Sequence, residues 1–521
     1  MNRTPLGALA ALCVAGCTVG PNYQPPKIDP GRSFAEIPSQ STTQPSRARE
    51  QPVQIDRWWE TFHDPELNSL IERAVKSNPS LAQAEARIRQ ARYERIVAGA
   101  AELPNINAEG GYQHARGSKN IVFPLSAFGI PGRGGGGTAR GKEAPSRVDQ
   151  PAGSTNVPVG APPPGGAPLS PLGVGGLPGA STDLFQAGLD ASWELDIFGG
   201  VRRSVEAANA DYQAAIEDRR DVYVTLMAEV ALNYVELRGY QRQVAIAHDN
   251  LHVQQQSLAL TEDRYHAGVT TQLDVSRAQA QVATTAAGIP SLDANVHQVI
   301  HRISVLLGEH PTALAGELSK PEQIPPAPPS VPVGVPTDLV RRRPDIRRAE
   351  RQLAAATARV GVATAQLYPR LSLSGTFGFD ATKFTHIADW SSRYYSIGPS
   401  IIWPIFDAGR IRANINIQNE NVSQAMSGYE QTVLNALEDV ENSLVAYSRE
   451  QLRRQALSEA VDANRTAVDL ANQQYRQGVV DFLTVLESER SLYGAQDALA
   501  QSDAQISGDL VSLYKALGGG W

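Results

Sequence analysis

The stretch that decides the fold is Gly199–Gly268, GGVRRSVEAANADYQAAIEDRRDVYVTLMAEVALNYVELRGYQRQVAIAHDNLHVQQQSLALTEDRYHAG, which has glycine at both ends and no proline between them. A continuous helix of that length, at about 1.5 Å per residue, spans on the order of 100 Å. No compact core accommodates it, so it belongs to a coiled-coil or tubular assembly. Gly409–Gly478 is a second run of the same kind, again without proline. Small side chains such as Ala207, Ala208, Ala210, Ala214 and Ala215 permit close helix approach.

The two runs belong to an internal duplication. Leu260, Tyr265, Gly268, Val269, Leu273, Val275, Leu307 and Gly308 recur as Leu470, Tyr475, Gly478, Val479, Leu483, Val485, Leu517 and Gly518, at a constant offset of 210. The same offset carries Trp193 onto Trp403, Gly199 onto Gly409 and Arg202 onto Arg412. Upstream the offset becomes 265, carrying Pro79, Leu81, Ala84, Glu85, Pro104 and Gly110 onto Pro344, Ile346, Ala349, Glu350, Pro369 and Gly375. The difference of 55 is an insertion in the first copy, residues 113–182 against 378–392, or 70 residues against 15. Gly132–Gly137 and Pro162–Pro164 make that insertion a long exposed loop. A phosphate-cradling loop would need a flanking strand, a following helix and a lysine in register, which are not seen there.

Each copy also carries two alternating segments. Phe185, Ala187, Leu189, Ala191, Trp193 and Leu195 are apolar, with Gln186, Gly188, Asp190, Ser192 and Glu194 between them. Ile106, Ala108, Gly110 and Tyr112 alternate with Asn105, Asn107 and Glu109. Leu371, Leu373, Phe377 and Phe379 alternate with Ser372, Ser374, Thr376 and Gly378, and Ile397, Ile401, Trp403 and Ile405 face away from Ser396, Gly398 and Ser400. Period two predicts strands with one polar face, at about 103–113, 184–195, 370–380 and 394–405. Strands of about ten residues suit a tilted crossing of a bilayer; a soluble sheet packed on helices would show the same alternation, and what decides between the two is the length of the helices. Four cannot close a barrel, since membrane barrels begin at about eight strands. Unpaired edges are forbidden in lipid, so several chains must pool their strands. The fold class expected is mainly α with a transmembrane β part, built from duplicated strand-strand-long-helix repeats.

Composition is consistent with this. Of 521 residues, 42% are apolar and 19% charged, enough for a core and too polar for a multi-span helical membrane protein. A net charge of −7 speaks against nucleic acid as a partner. Cys13 and Cys17 are the only cysteines, which excludes a disulfide framework or a cysteine-ligated metal in the folded part. Residues 1–16 read as an export signal: Arg3, an apolar Leu6–Val14, and Val14-Ala15-Gly16-Cys17. This resembles a bacterial lipoprotein signal, which implies that Cys17 becomes the acylated first residue and that Thr18, in place of Asp, favours passage to the outer membrane. Residues 17–55 then form an acylated, extended N-terminal tail. The first repeat occupies 56–308, with long helices over 200–308. The proline-rich 309–336 is a linker, and the second repeat occupies 337–521, with long helices over 409–517.

The block Leu339-Val340-Arg341-Arg342-Arg343-Pro344-Asp345-Ile346-Arg347-Arg348-Ala349-Glu350, continuing to Gly361 and Tyr368-Pro369, resembles the signature of the TolC-like outer-membrane factors, in particular the lipoprotein branch that serves efflux. Trp193–Gly199 and Pro404–Arg412 resemble the family's strand-to-helix junctions. Tyr265–Gly268 and Tyr475–Gly478 resemble its hairpin tips. The similarity covers about residues 56–521, and the insertion falls where the family places its outer loop. It implies a homotrimer pooling four strands per chain into a twelve-stranded β-barrel, continued by a periplasmic α-helical barrel. It further implies a passive conduit rather than an enzyme, without cofactors. Its partners would be a periplasmic adaptor (membrane fusion protein) docking at Gly268, Val269, Gly478 and Val479, an inner-membrane pump of the RND type, and outer-membrane lipid. The alternative is a lipid-anchored periplasmic coiled-coil scaffold without a channel.

The resemblance also places acids at a periplasmic constriction: Asp274 and Glu487 match family positions, and Asp481 lies near the second tip. Crowded carboxylates in a narrow lumen favour protonation or cation capture and can hold a gate under tension. Tyr475 matches a tyrosine whose hydroxyl can reach the aspartate matched by Asp274, and Val480 stands where some members have an arginine. Charges near turns otherwise serve as solvated helix faces. The pairs His248/His252 and His297/His301 have metal-ligand spacing but no third ligand, and the arginines of 341–348 read as a helix start. Gly268 and Gly478 read as turn residues with positive φ. No catalytic constellation can be placed from spacing.

Overall fold

A computed structural model describes residues 18–31, 33–35, 47–49 (backbone only), 56–116 and 181–521. Cys17, the export signal and residues 117–180 of the insertion lie outside the described residues. In chain order the described elements are β1 (Arg47–Arg49), α1 (Pro65–Ser77), α2 (Pro79–Ala100), β2 (Asn105–Arg116), β3 (Ser181–Leu195), α3 (Gly200–His266), α4 (Gln272–Leu306) and α5 (Ala315–Leu318). They continue as β4 (Ser330–Pro332), α6 (Pro336–Arg342), α7 (Pro344–Ala365), β5 (Arg370–Ala381), β6 (Arg393–Ile402), α8 (Arg410–Arg476) and α9 (Phe482–Ala516). The fold is mainly α with one four-stranded sheet, and the duplication holds throughout: α3 and α8 are each 67 residues long, α4 and α9 each 35. Two compact units result, one helical and one formed by Ala101–Leu195 with Arg370–Ile402.

The sheet unit is antiparallel throughout, in the order β2-β3-β5-β6. Residues directly opposite share a face. Ile106, Ala108, Gly110 and Tyr112 therefore lie with Ala191, Leu189, Ala187 and Phe185. The same row continues through Gly375, Phe377, Phe379 and Ala381 to Ile397 and Tyr395. The opposite face carries Asn107, Asp190, Thr376 and Ser396 in line, with the Asn107 amide donating to Asp190 at 3.1 Å. Gly378 is required there, since a Cβ would come within 2.7 Å of the Tyr394 ring lying across it. The apolar face is bare: Ile397 is 75% exposed, Ile401 70% and Leu189 51%. An apolar face this continuous is not left to water.

Strand boundaries differ modestly from expectation. β2 and β3 run further into the insertion, to Arg116 and from Ser181. β6 ends at Ile402 rather than 405, because Pro404 has no N–H to give the ladder. Trp403 thus lies just past its strand, and the two tryptophans still do the same job. The Trp193 indole donates to the Glu102 carbonyl and the Trp403 indole to the Leu367 carbonyl, both at 3.0 Å. Donors and acceptors are related by the offsets 210 and 265 of the duplication.

In the helical unit, α3 pairs with α4 and α8 with α9, while α2 and α7 pack along α3. On α8 the buried residues Tyr429, Val433, Ala436, Val440, Leu444, Tyr447 and Gln451 step by three or four. That spacing averages close to the straight-helix period, so one stripe stays inward over many turns. The core gathers midway along α3 and near the C-terminal ends of α4 and α9, where Met227, Tyr234, Leu237, Ile300, Leu510 and Tyr514 are buried against α1. Trp58 stacks on Tyr514 at 5.3 Å between centroids. Among the described residues no helix is long and apolar enough to cross a membrane.

Two segments expected to be loose are packed. The linker 309–336 contains α5 and β4, and β4 pairs in parallel with β1 from the tail; Val331 and Val333 are buried. Alternate valines drive this, and Pro332 is tolerated because a two-stranded ladder consists only of edges. The tail begins as a docked strap rather than a free chain. Val19 donates to the Phe198 carbonyl at 3.1 Å, and buried Arg203 donates to the Val19 carbonyl at 3.1 Å and to Asn22 at 2.7 Å. The Tyr23 hydroxyl donates to Glu350 at 2.9 Å. The arginines of the 341–348 block are held by acids of other helices as well as their own. Arg343 joins Asp345 and Asp439, Arg347 joins Glu217, and Arg348 joins Asp218 and Asp221.

Candidate functional site

Both long helices end the same way. The Gly268 N–H donates to the Tyr265 carbonyl and the Val269 N–H to the Arg264 carbonyl; Gly478 and Val479 donate likewise to Tyr475 and Gln474. This is the Schellman closure, which needs a left-handed residue after the helix. Gly268 and Gly478 supply it, with φ of 73° and 76°. Val269 and Val479, next in line, are 62% and 68% exposed. Each tip therefore presents a bare valine.

The helices that leave the tips are capped by the same pair of residue types with their roles exchanged. At the start of α4 the Asp274 carboxylate accepts from the Thr270 hydroxyl at 2.7 Å and the Thr271 hydroxyl at 2.9 Å. At the start of α9 the acid comes first: Asp481 accepts from the Thr484 N–H at 3.1 Å and its hydroxyl at 2.9 Å. Thr271 and Asp481, and Asp274 and Thr484, correspond at the offset of 210. Burial pushes the Asp274 carboxyl up, but the two threonine hydroxyls, the Thr271 N–H and Arg277 outweigh it and hold the group below the usual aspartate range. Both acids thus already have local work as caps. Glu487 lies exposed further along α9.

Tyr475 is placed differently from the sequence expectation. It is buried in an apolar cluster with Ala278, Ala471, Phe482, Val485 and Leu486, its ring 5.7 Å from that of Phe482. Its hydroxyl has no hydrogen-bond partner among the described residues. Within one chain it does not bond Asp274, whose carboxylate is taken by its own threonines. The cation expected to be missing at Val480 is present from another direction: Arg264, in the last turn of α3, lies over the Tyr475 ring at 4.6 Å. Its position at the offset of 210 is occupied by Gln474, so the duplication gave no hint of it.

Two further contacts near the tips had no signal in sequence. Glu489 is buried on α9 and accepts from the Ser257 hydroxyl at 2.5 Å; burial pushes its carboxyl up, partly offset by that bond. Arg490 donates to Gln281 at 2.6 Å, tying α9 to α4. His252 faces Gln256 at 3.0 Å, His297 stands 3.8 Å from the Asp293 carboxylate, and the rings of His297 and His301 are 6.4 Å apart; among the described residues no group of three potential metal ligands forms.

The sequence matches the family model described as outer membrane efflux protein over residues 70–309 and 335–519. It is 33% identical over 483 residues to the pyoverdine export outer membrane protein OpmQ of Pseudomonas putida, covering 92% of this chain and 91% of that one. It is 30% identical over 516 residues to nodulation protein T of Rhizobium leguminosarum bv. trifolii, covering 98% and 96%. Among solved structures it is similar to the outer-membrane channel OprN, with a TM-score of 0.80, 35% identity and coverage of 97% and 100%. It is similar also to CusC, with a TM-score of 0.76, 25% identity and coverage of 97% and 100%. The matched blocks span both repeats and the fold is shared along nearly the whole length, so the chain belongs to the outer membrane efflux protein family and is an outer-membrane channel, the exit duct of an efflux pump.

Proposed function

We propose that three copies of this chain pool their strands into a twelve-stranded barrel, closed around a lumen that receives cargo from a periplasmic adaptor and an inner-membrane pump of the RND type. The observation that carries this is the four-stranded sheet, which among the described residues has one bare apolar face and two unpaired edges, β2 and β6. In lipid the apolar face is satisfied but the edges are not, and pairing β6 of one copy with β2 of the next removes every edge. The polar face then lines water. The adaptor docks at the tips around Gly268, Val269, Gly478 and Val479, where two exposed valines and rigid turns offer a surface. Asp274, Asp481, Glu487 and Tyr475 form the periplasmic constriction. Acylated Cys17 anchors the chain: it immediately precedes Thr18, which packs against Gly199 at the start of α3.

Two experiments test this reading. Asp481→Ser and Asp274→Asn keep a capping acceptor while removing charge, and in planar bilayers each raises the leak of the closed channel. Unchanged leakage removes these acids from the gate. Cys17→Ser leaves the protein a detergent-extractable trimer of the outer membrane, whereas release as a soluble protein would favour a lipid-held scaffold.

A further inference from the structure

We propose that Arg264 is the positioning residue that latches the two helical hairpins of each chain together at their tips, through the ring of Tyr475 and not through its hydroxyl. The proposal rests on the reading of the tips as the closable end of the channel. The Arg264 guanidinium lies 4.6 Å from the Tyr475 ring centroid, and one of its amino groups donates to the Arg476 carbonyl at 3.3 Å. Both targets are in the last turn of α8, and Arg264 is in the last turn of α3. A single cation therefore spans the two hairpins, using the electron-rich ring face and a carbonyl that the helix end leaves without an intrahelical donor.

The contact is not needed to close either helix. Both tips have the same hydrogen-bonded turn and the same positive-φ glycine, yet Tyr265, the counterpart of Tyr475, is 40% exposed and has no arginine over it, since Gln474 occupies the position equivalent to Arg264. The latch is also poised to release. The Arg264 Nε and the Tyr475 hydroxyl are both shut away from water without a partner among the described residues. Separation of the hairpins rehydrates both, which offsets part of the stacking lost. A latch of that kind holds in isolation and yields to a docking partner with modest binding energy.

The test is single-channel recording of the full-length protein in planar bilayers, with trimer melting measured in parallel. Arg264→Ala is expected to raise the closed-state conductance about 2- to 10-fold, the effect of losing one cation–π contact, with trimer melting unchanged. Arg264→Lys recovers part of the closure. Tyr475→Phe, which keeps the ring, stays closed like the parent, and Tyr475→Leu opens like Arg264→Ala. If Asp481→Ser and Asp274→Asn raise the leak while Arg264→Ala does not, the latch is overturned and the gate at the tips stands. Opening by Tyr475→Phe would return the role to the hydroxyl and overturn the proposal. If none of these variants leaks, the tips are not the closable end and both readings fall.

Discussion

Asp509 illustrates how much a single buried acid on these thin helices can matter. It sits on α9 at 8% exposure, and burial pushes its carboxyl up to about 6, with the hydrogen bond from Gln505 opposing and Glu450 adding to the shift. Its folded pKa lies above the unfolded one, so the folded protein holds this proton more tightly. Stability on this account is full below the ordinary aspartate value and declines as pH rises toward about 6. Asp509→Asn keeps the acceptor for Gln505 and removes the penalty, so it is expected to stabilise the protein by about 3 kcal/mol at pH 8. The gain should vanish near pH 4, as measured by denaturation midpoints at the two values. Gly20 makes a second case. It has φ of +90°, and a Cβ there would fall 2.5 Å from the Gly361 Cα. Gly20→Val should cost about 1–3 kcal/mol of docking and lift the strap from α7. Trypsin should then cut after Lys27 at least several-fold faster; an unchanged rate would mean the strap is held elsewhere. Neither residue was legible in the sequence, because Asp509 differs from a solvated acid, and Gly20 from a linker glycine, only through what other segments bring beside them. The tip glycines were legible, since a turn after a long helix has its own local chemistry.

At the scale of elements, period two pointed to the four strands of the larger sheet and the absence of proline to both long helices. What the pattern could not supply were the packing partners. β4 is three residues ending in Pro332 and exists only because β1 lies beside it, and the latch at Tyr475 depends on an arginine more than two hundred residues away in sequence. The register makes the two faces of the sheet separately testable. Leu189→Arg puts a charge on the bare apolar face and should cost about 2–4 kcal/mol near the bilayer centre, abolishing detergent-resistant assembly. Thr376→Arg, on the polar face, should assemble normally and alter ion selectivity instead. Equal tolerance of both would mean that neither face meets lipid.

The whole molecule follows from a mismatch between what one chain builds and what a membrane permits. Among its described residues each copy contributes a four-stranded sheet with a bare apolar face and two open edges. The duplication was visible in sequence, and with it the four strands of the larger sheet; apart from the family resemblance, the assembly was legible only as a necessity. Native mass spectrometry of the detergent-extracted protein, on the same sample that conducts in bilayers, tests the claim most directly. The account predicts a particle of three chains and no conducting species of fewer. A folded, lipid-inserted particle of one chain that conducts would contradict it.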